Sequence, residues 1–187
     1  MRSILTPHPD HPSKAIRSLA VEVERPAPGR IALRYLVQAD ADLVVPPPAA
    51  PAHTDGLWRH TCFEAFVRGE DGSAYAEANL APSGQWALYA FDRYRDGTRN
   101  VNPATPLSIA WRTTPDGFEL SAELDLSGLP LLPPAGPWRL GLSAVIEEAA
   151  GDGKSRTSYW ALAHPPGKAD FHHDEGFALT LPGLGAA

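Results

Sequence analysis

Two short segments carry the residues best suited to chemistry. Leu57–Val67, LWRHTCFEAFV, holds a carboxylate at Glu64; Tyr75–Leu80, YAEANL, holds another at Glu77 and an amide at Asn79. Both read as strands around the turn RGEDG, and strand side chains alternate between two faces. Tyr75, Glu77 and Asn79 then share one face, and Ala76, Ala78 and Leu80 the other. The partner strand sets Cys62, Glu64 and Phe66 against Phe63, Ala65 and Val67. If Phe66 lies opposite Tyr75, Glu64 falls opposite Glu77 and Cys62 opposite Asn79. Facing carboxylates repel unless something offsets them. An arginine such as Arg59 or Arg93, a cation, or a ligand's hydroxyl groups would serve. The competing reading is a plain exposed strand face neutralised by surface arginines, and a one-residue slip would remove the pair.

Glu64 and Glu77 could also act as general acid and base in glycoside hydrolysis. Direct opposition on adjacent strands would, however, bring them nearer than the ~5 Å of a retaining glycosidase. No nucleophile elbow, phosphate loop or dinucleotide fingerprint is present, and no catalytic activity is expected. Cys62 lies mid-strand, where a small buried residue is the usual explanation.

A second cluster is HPPGKADFHHDEG, with His164, Lys168, Asp170, His172, His173, Asp174 and Glu175. Three histidines with carboxylates could hold a divalent metal, and one could ligate haem. The spacing matches no zinc pattern, and Met1 is the sole methionine, so His–Met haem ligation is not expected. A structured loop whose side chains bond the backbone is the other reading, and no cofactor is the expectation. Such a loop would still let His172 or His173 touch a ligand.

The elements that must position these residues are short. Twenty prolines and sixteen glycines leave few windows long enough for a helix, while many segments alternate with period two. SLAVEVER and RIALRYLVQA flank PAPG as a hairpin. TCFEAFV and SAYAEANL form a second, SGQWALYAFD follows, and PLSIAWRTT pairs with GFELSAELDL across PDG. PWRLGLSAVIEEA, SYWALA and GFALTLP complete about ten strands, with one helical turn expected near SGLPLL. The Pro/Ala tract Val44–His53 suits an extended surface crossing. The expected fold is all-β: a two-sheet antiparallel β-sandwich, jelly-roll-like, in a single domain over 1–187 with 1–16 and 183–187 peripheral.

Composition narrows the partners. A net charge of -6 argues against nucleic acid and anionic membrane surfaces, which favour clustered Lys and Arg. One cysteine, Cys62, cannot form an internal disulfide and fits a reducing compartment. The N-terminal segment has no apolar run of signal-peptide length, so a cytoplasmic location is expected.

LWRHTCFEAFV, YAEANLAPSGQWALYAFDRYR and YWALAHPPGKADFHHDEGF together resemble the DOMON-like family, related to the family-9 carbohydrate-binding modules. The specific part is an acidic strand, a Tyr-led strand ending in Asn, and a Pro-Ser-Gly turn. The resemblance implies a β-sandwich that binds a ligand, usually a sugar in the carbohydrate modules and haem in some DOMON domains. It further implies a stacking platform at Trp58, polar contacts from Glu64, Glu77 and Asn79, and a second stacking ring at Trp160. Arg59 and His172 complete the expected ligand-binding set. The expected ligand is a small, sugar-like molecule.

Overall fold

The computed structural model describes residues 1–40, 43–103, 105–150 and 154–184. Thirteen strands occur among them: β1 (Arg2–Pro7), β2 (Ile16–Glu24), β3 (Arg30–Ala39), β4 (Leu43–Val44), β5 (Cys62–Gly69), β6 (Tyr75–Leu80), β7 (Trp86–Phe91), β8 (Arg99–Asn100), β9 (Ser108–Thr114), β10 (Gly117–Asp125), β11 (Trp138–Ala149), β12 (Ser155–Ala161) and β13 (Leu179–Leu181). They hydrogen-bond in the order β8-β7-β6-β5-β11-β12-β1-β2-β3-β10-β9, with β4 and β13 both on β11. All the strand pairs are antiparallel.

This path doubles back on itself as a β-sandwich. One sheet runs from β8 to β12 and the other from β2 to β9, with β1 shared between them: Arg2–Leu5 pair with β2, whereas Thr6 and Pro7 pair with β12. Contacts between the layers show which faces meet. The Tyr35 ring lies 5.0 Å from Phe63, its hydroxyl donates to the Glu64 carbonyl at 2.7 Å, and Trp111 lies 6.0 Å from Phe63.

Alternation explains the filling. Val21, Val23, Leu33, Tyr35, Val37, Leu120 and Leu124 enter from one sheet; Phe63, Ala65, Val67, Ala76, Ala78, Leu80, Leu140, Leu142 and Ile146 enter from the other. Burying each large apolar side chain contributes roughly 1.5–3 kcal/mol. The PDG turn depends on Gly117 at φ 144°, where an added Cβ would meet the Val37 oxygen at 2.2 Å.

Several expectations are corrected here. Residues 1–16 are not peripheral, because β1 joins the two sheets and buries Leu5. Of the expected peripheral tail, 183 and 184 are described, with the Leu184 N–H donating to Ala135 at 2.9 Å; 185–187 lie outside the described residues. No helix forms at SGLPLL, where Leu129 and Leu132 close successive turns. Single 3-10 turns occur instead at Leu57–Arg59 and Asp174–Gly176. The strands β1, β4 and β8 are additional to those read from sequence, because two are only two residues long and the first lies among prolines.

Candidate functional site

The face of β5 and β6 opposite the core carries the candidate site. Its register differs from the expected one by two residues: Glu64 pairs with Asn79, Phe66 with Glu77 and Arg68 with Tyr75. A two-residue slip preserves parity, so the same side chains share the face while Glu64 and Glu77 become diagonal neighbours. The strands on either side add Ser143 next to Glu64 and Tyr89 next to Glu77.

This face is roofed in part by the chain after β12. Phe66, Tyr75, Phe91 and Phe177 form a separate apolar cluster, in which Tyr75 and Phe91 stack at 4.6 Å. The Arg139 guanidinium donates to the Phe177 carbonyl at 2.6 Å, and Arg68 pairs with Asp174 while lying 4.5 Å from the Phe177 ring. Gly141 permits the approach, since a Cβ there would meet the Gly176 oxygen at 3.2 Å and the Phe66 Cβ at 3.3 Å.

Beside this cluster opens a cavity of about 870 Å³. Glu64, Glu77, Tyr89, Phe91, Val145, Thr157 and Tyr159 contribute to its lining from strands. Trp58 and Arg59 come from the 3-10 turn before β5, Arg95 and Thr98 from the loop after β7, and Lys168, Phe171 and His172 from the segment after β12. Trp58 is 49% exposed, which leaves its ring available for stacking, and the Arg59 guanidinium lies 5.3 Å from it.

Glu64 and Glu77 are buried. Loss of water raises the Glu64 pKa well above the ordinary carboxylate value, and the charge of Glu77 adds to this; Ser143, donating at 3.2 Å, and Arg95 oppose it. Glu77 is raised for the same first reason, while the Asn79 amide, donating at 2.6 Å, and Arg95 pull it back. Two buried acids this close hold protons more readily than free ones. A protonated carboxyl both donates and accepts hydrogen bonds.

His172 is fixed by its neighbours. The Arg95 N–H donates to the Tyr75 hydroxyl at 3.1 Å, and that hydroxyl lies 2.8 Å from His172 Nδ1. The other ring nitrogen, Nε2, lies 3.6 Å from Glu77 Oε2, so the ring bridges the phenol and the carboxyl. Burial, then the Arg95 charge, depress the His172 pKa to about 4, against an opposing pull from Asp170. Asp170 loses water too, but hydrogen bonds from Tyr94 and Arg95 outweigh that and hold its pKa below the ordinary value. Arg95 has φ 52°, a left-handed conformation costing about 1–3 kcal/mol outside glycine, and its N–H is held by Tyr75.

Trp58, Arg59, Glu64, Glu77 and His172 thus line one cavity. Asn79 does not line it; buried beside Glu77, it orients that carboxyl. Trp160 is corrected: it points into the sandwich, is 3% exposed, and its indole N–H donates to Ser158 at 3.0 Å. Parity puts the adjacent Tyr159 on the cavity side instead. Arg93, offered as a counter-charge, pairs with Asp96; Arg95 has that role. Cys62 is buried, its thiol pKa raised by loss of water. The three histidines have separate partners: His164 meets the Thr6 carbonyl at 2.9 Å, His173 accepts from the Glu175 N–H at 3.3 Å, and His172 bonds Tyr75. Among the described residues no three His, Cys, Asp or Glu side chains gather as a metal site.

No protein-family model matches the chain, and neither does any curated protein. Solved structures similar in fold include the following three. A provisionally assigned carbohydrate-binding protein from Bacteroides uniformis shares 12% identity at a TM-score of 0.61, over 86% of this chain and 77% of that one. A family-9 carbohydrate-binding module from Caldicellulosiruptor kristjanssonii in complex with glucose shares 13% identity at 0.49, over 94% and 80%. The same organism's module in complex with cellotriose shares 13% at 0.45, over 86% and 71%. At such identities the likeness is one of fold, and the DOMON-like relationship remains a resemblance of motifs.

Proposed function

We propose that this chain is a non-catalytic sugar-binding module, with its ligand in the cavity above Glu64 and Glu77. The observation that carries this reading is one hollow lined by both a half-exposed indole, Trp58, and two buried carboxyls. The C–H face of a sugar ring packs on an indole, while carboxyls that donate and accept bond its hydroxyl groups. The volume, about 870 Å³, falls within the range of small-molecule sites. The fold likeness to the Bacteroides uniformis protein, itself provisionally assigned to carbohydrate binding, supports the same reading.

The diagonal register removes the objection based on direct opposition. The non-catalytic reading is supported instead by the sequence, which carries no nucleophile elbow, phosphate loop or dinucleotide fingerprint, and by the fold likeness to the Bacteroides uniformis protein. Incubation with chromogenic glycosides should release no dye.

The binding test uses Trp58→Ala. Thermal-shift and calorimetric titrations with mono- and disaccharides should find a ligand that raises the melting point of the parent protein. The variant should lose about tenfold or more in affinity while melting within a few degrees of the parent, because its indole is half exposed. Undiminished binding by the variant would refute the stacking platform.

A further inference from the structure

The cavity lining is richer in cations than the chain as a whole. The sequence has 22 acidic and 16 basic residues, yet the cavity is lined by Arg59, Arg95 and Lys168 against only Glu64 and Glu77. Arg95 is partnered by Asp170 at 2.8 Å. Neither Arg59 nor Lys168 is paired with a carboxylate among the described residues, and both are exposed. The two carboxyls contribute less negative charge than their number suggests, because burial favours their neutral forms. Exposed cations without a carboxylate partner, set in a hollow, attract anions.

A neutral sugar would use the indole and the carboxyls and leave the cations idle. The volume also exceeds what a single sugar ring needs. We infer that the preferred ligand is an anionic sugar, bearing a phosphate or carboxylate group that Arg59 and Lys168 bind while its ring occupies the Trp58 platform. This rests on the sugar-binding reading. Arginine contributes a planar fork of donors suited to either group and lysine a compact charge.

Calorimetry at low and moderate salt tests the idea with glucose, glucose 6-phosphate, glucuronate and inorganic phosphate. The parent protein should bind at least one of the two anionic sugars about tenfold or more tightly than glucose, and the preference should shrink as salt screens the charges. Arg59→Gln combined with Lys168→Gln should reduce it to about threefold or less; unchanged circular dichroism would show that the fold is kept, and Lys168→Gln alone should give an intermediate value. Equal affinity for glucose and its anionic forms would overturn the anionic preference and leave the sugar reading standing, as would a preference that survives the double substitution. Phosphate binding as tightly as glucose 6-phosphate would mean that an ion is recognised without its sugar, and would overturn the inference. Failure of all the sugars, neutral and charged, would remove both readings.

Discussion

At the scale of single residues, the cavity floor sets two titrations against each other. In His172 the folded protein disfavours the proton that the unfolded chain takes up near 6.5. Between about pH 4 and pH 6.5 the unfolded state therefore binds more protons, and stability rises with pH. Glu64 and Glu77 act with the opposite sign: their folded values lie above 4.5, so the native state holds the protons and stability falls as pH rises from there. Arg95, Asp170 and Tyr75 face the same groups, but Asp170 is lowered from 3.8 and titrates below this window. In the parent the two slopes oppose each other between pH 4.5 and 6.5. Replacing both acids by glutamine should leave a rising curve, by at most about 1.4 kcal/mol per pH unit, and His172→Gln should leave a falling one. Urea unfolding across this range checks it; two variants with the parent's slope would contradict the assignment.

Among the elements, β11 does most to position the site, since it pairs with β5, β12, β4 and β13. Its residue Glu148 is buried, accepts from the N–H groups of Lys14 and Ala15 at 3.0 and 3.1 Å, and accepts from the Ser158 hydroxyl at 3.1 Å. It thereby pins the segment entering β2 and the strand that carries Tyr159. Glu148→Ala should leave these donors unpaired and destabilise the protein by about 2–4 kcal/mol, read as a lower denaturation midpoint; an unchanged midpoint would show that water replaces the carboxylate. The floor was legible in sequence because Phe63, Ala65, Val67, Ala76 and Ala78 mark an apolar face, and parity fixes the other. Register was not, because nothing in RGEDGSA says where pairing resumes after the turn, and Tyr75 settles opposite Arg68. Trp160 misled because the resemblance supplied a stacking ring there, while strand parity sets it on the same buried side as Ser158. Arg95 and Lys168 come from separate loops that meet only once the sheet has curled, a relation that strand periodicity does not encode.

On the scale of the whole molecule, one short strand decides whether there are two sheets or one sandwich. β1 is bonded to β2 over its first residues and to β12 over its last, so the hydrogen-bonded path from cavity sheet to outer sheet passes through it. Without it, β2 and β12 would each present an unpaired edge, a template for association with other chains. Leu5, 1% exposed, belongs to the main core. The segment after it brings His11 to the cavity wall, where its ring meets Tyr159 at 4.9 Å. Leu5→Ala should cost about 2–5 kcal/mol, the usual range for emptying a core leucine site, while a chain lacking residues 2–7 should lose its cooperative melting transition and associate. Size-exclusion chromatography and thermal unfolding of both variants discriminate between a joint and an ornament. A truncated chain that stays monomeric and melts at the parent's temperature would mean that the sheets hold together through side-chain packing alone, and that the strand merely lies across a sandwich already closed.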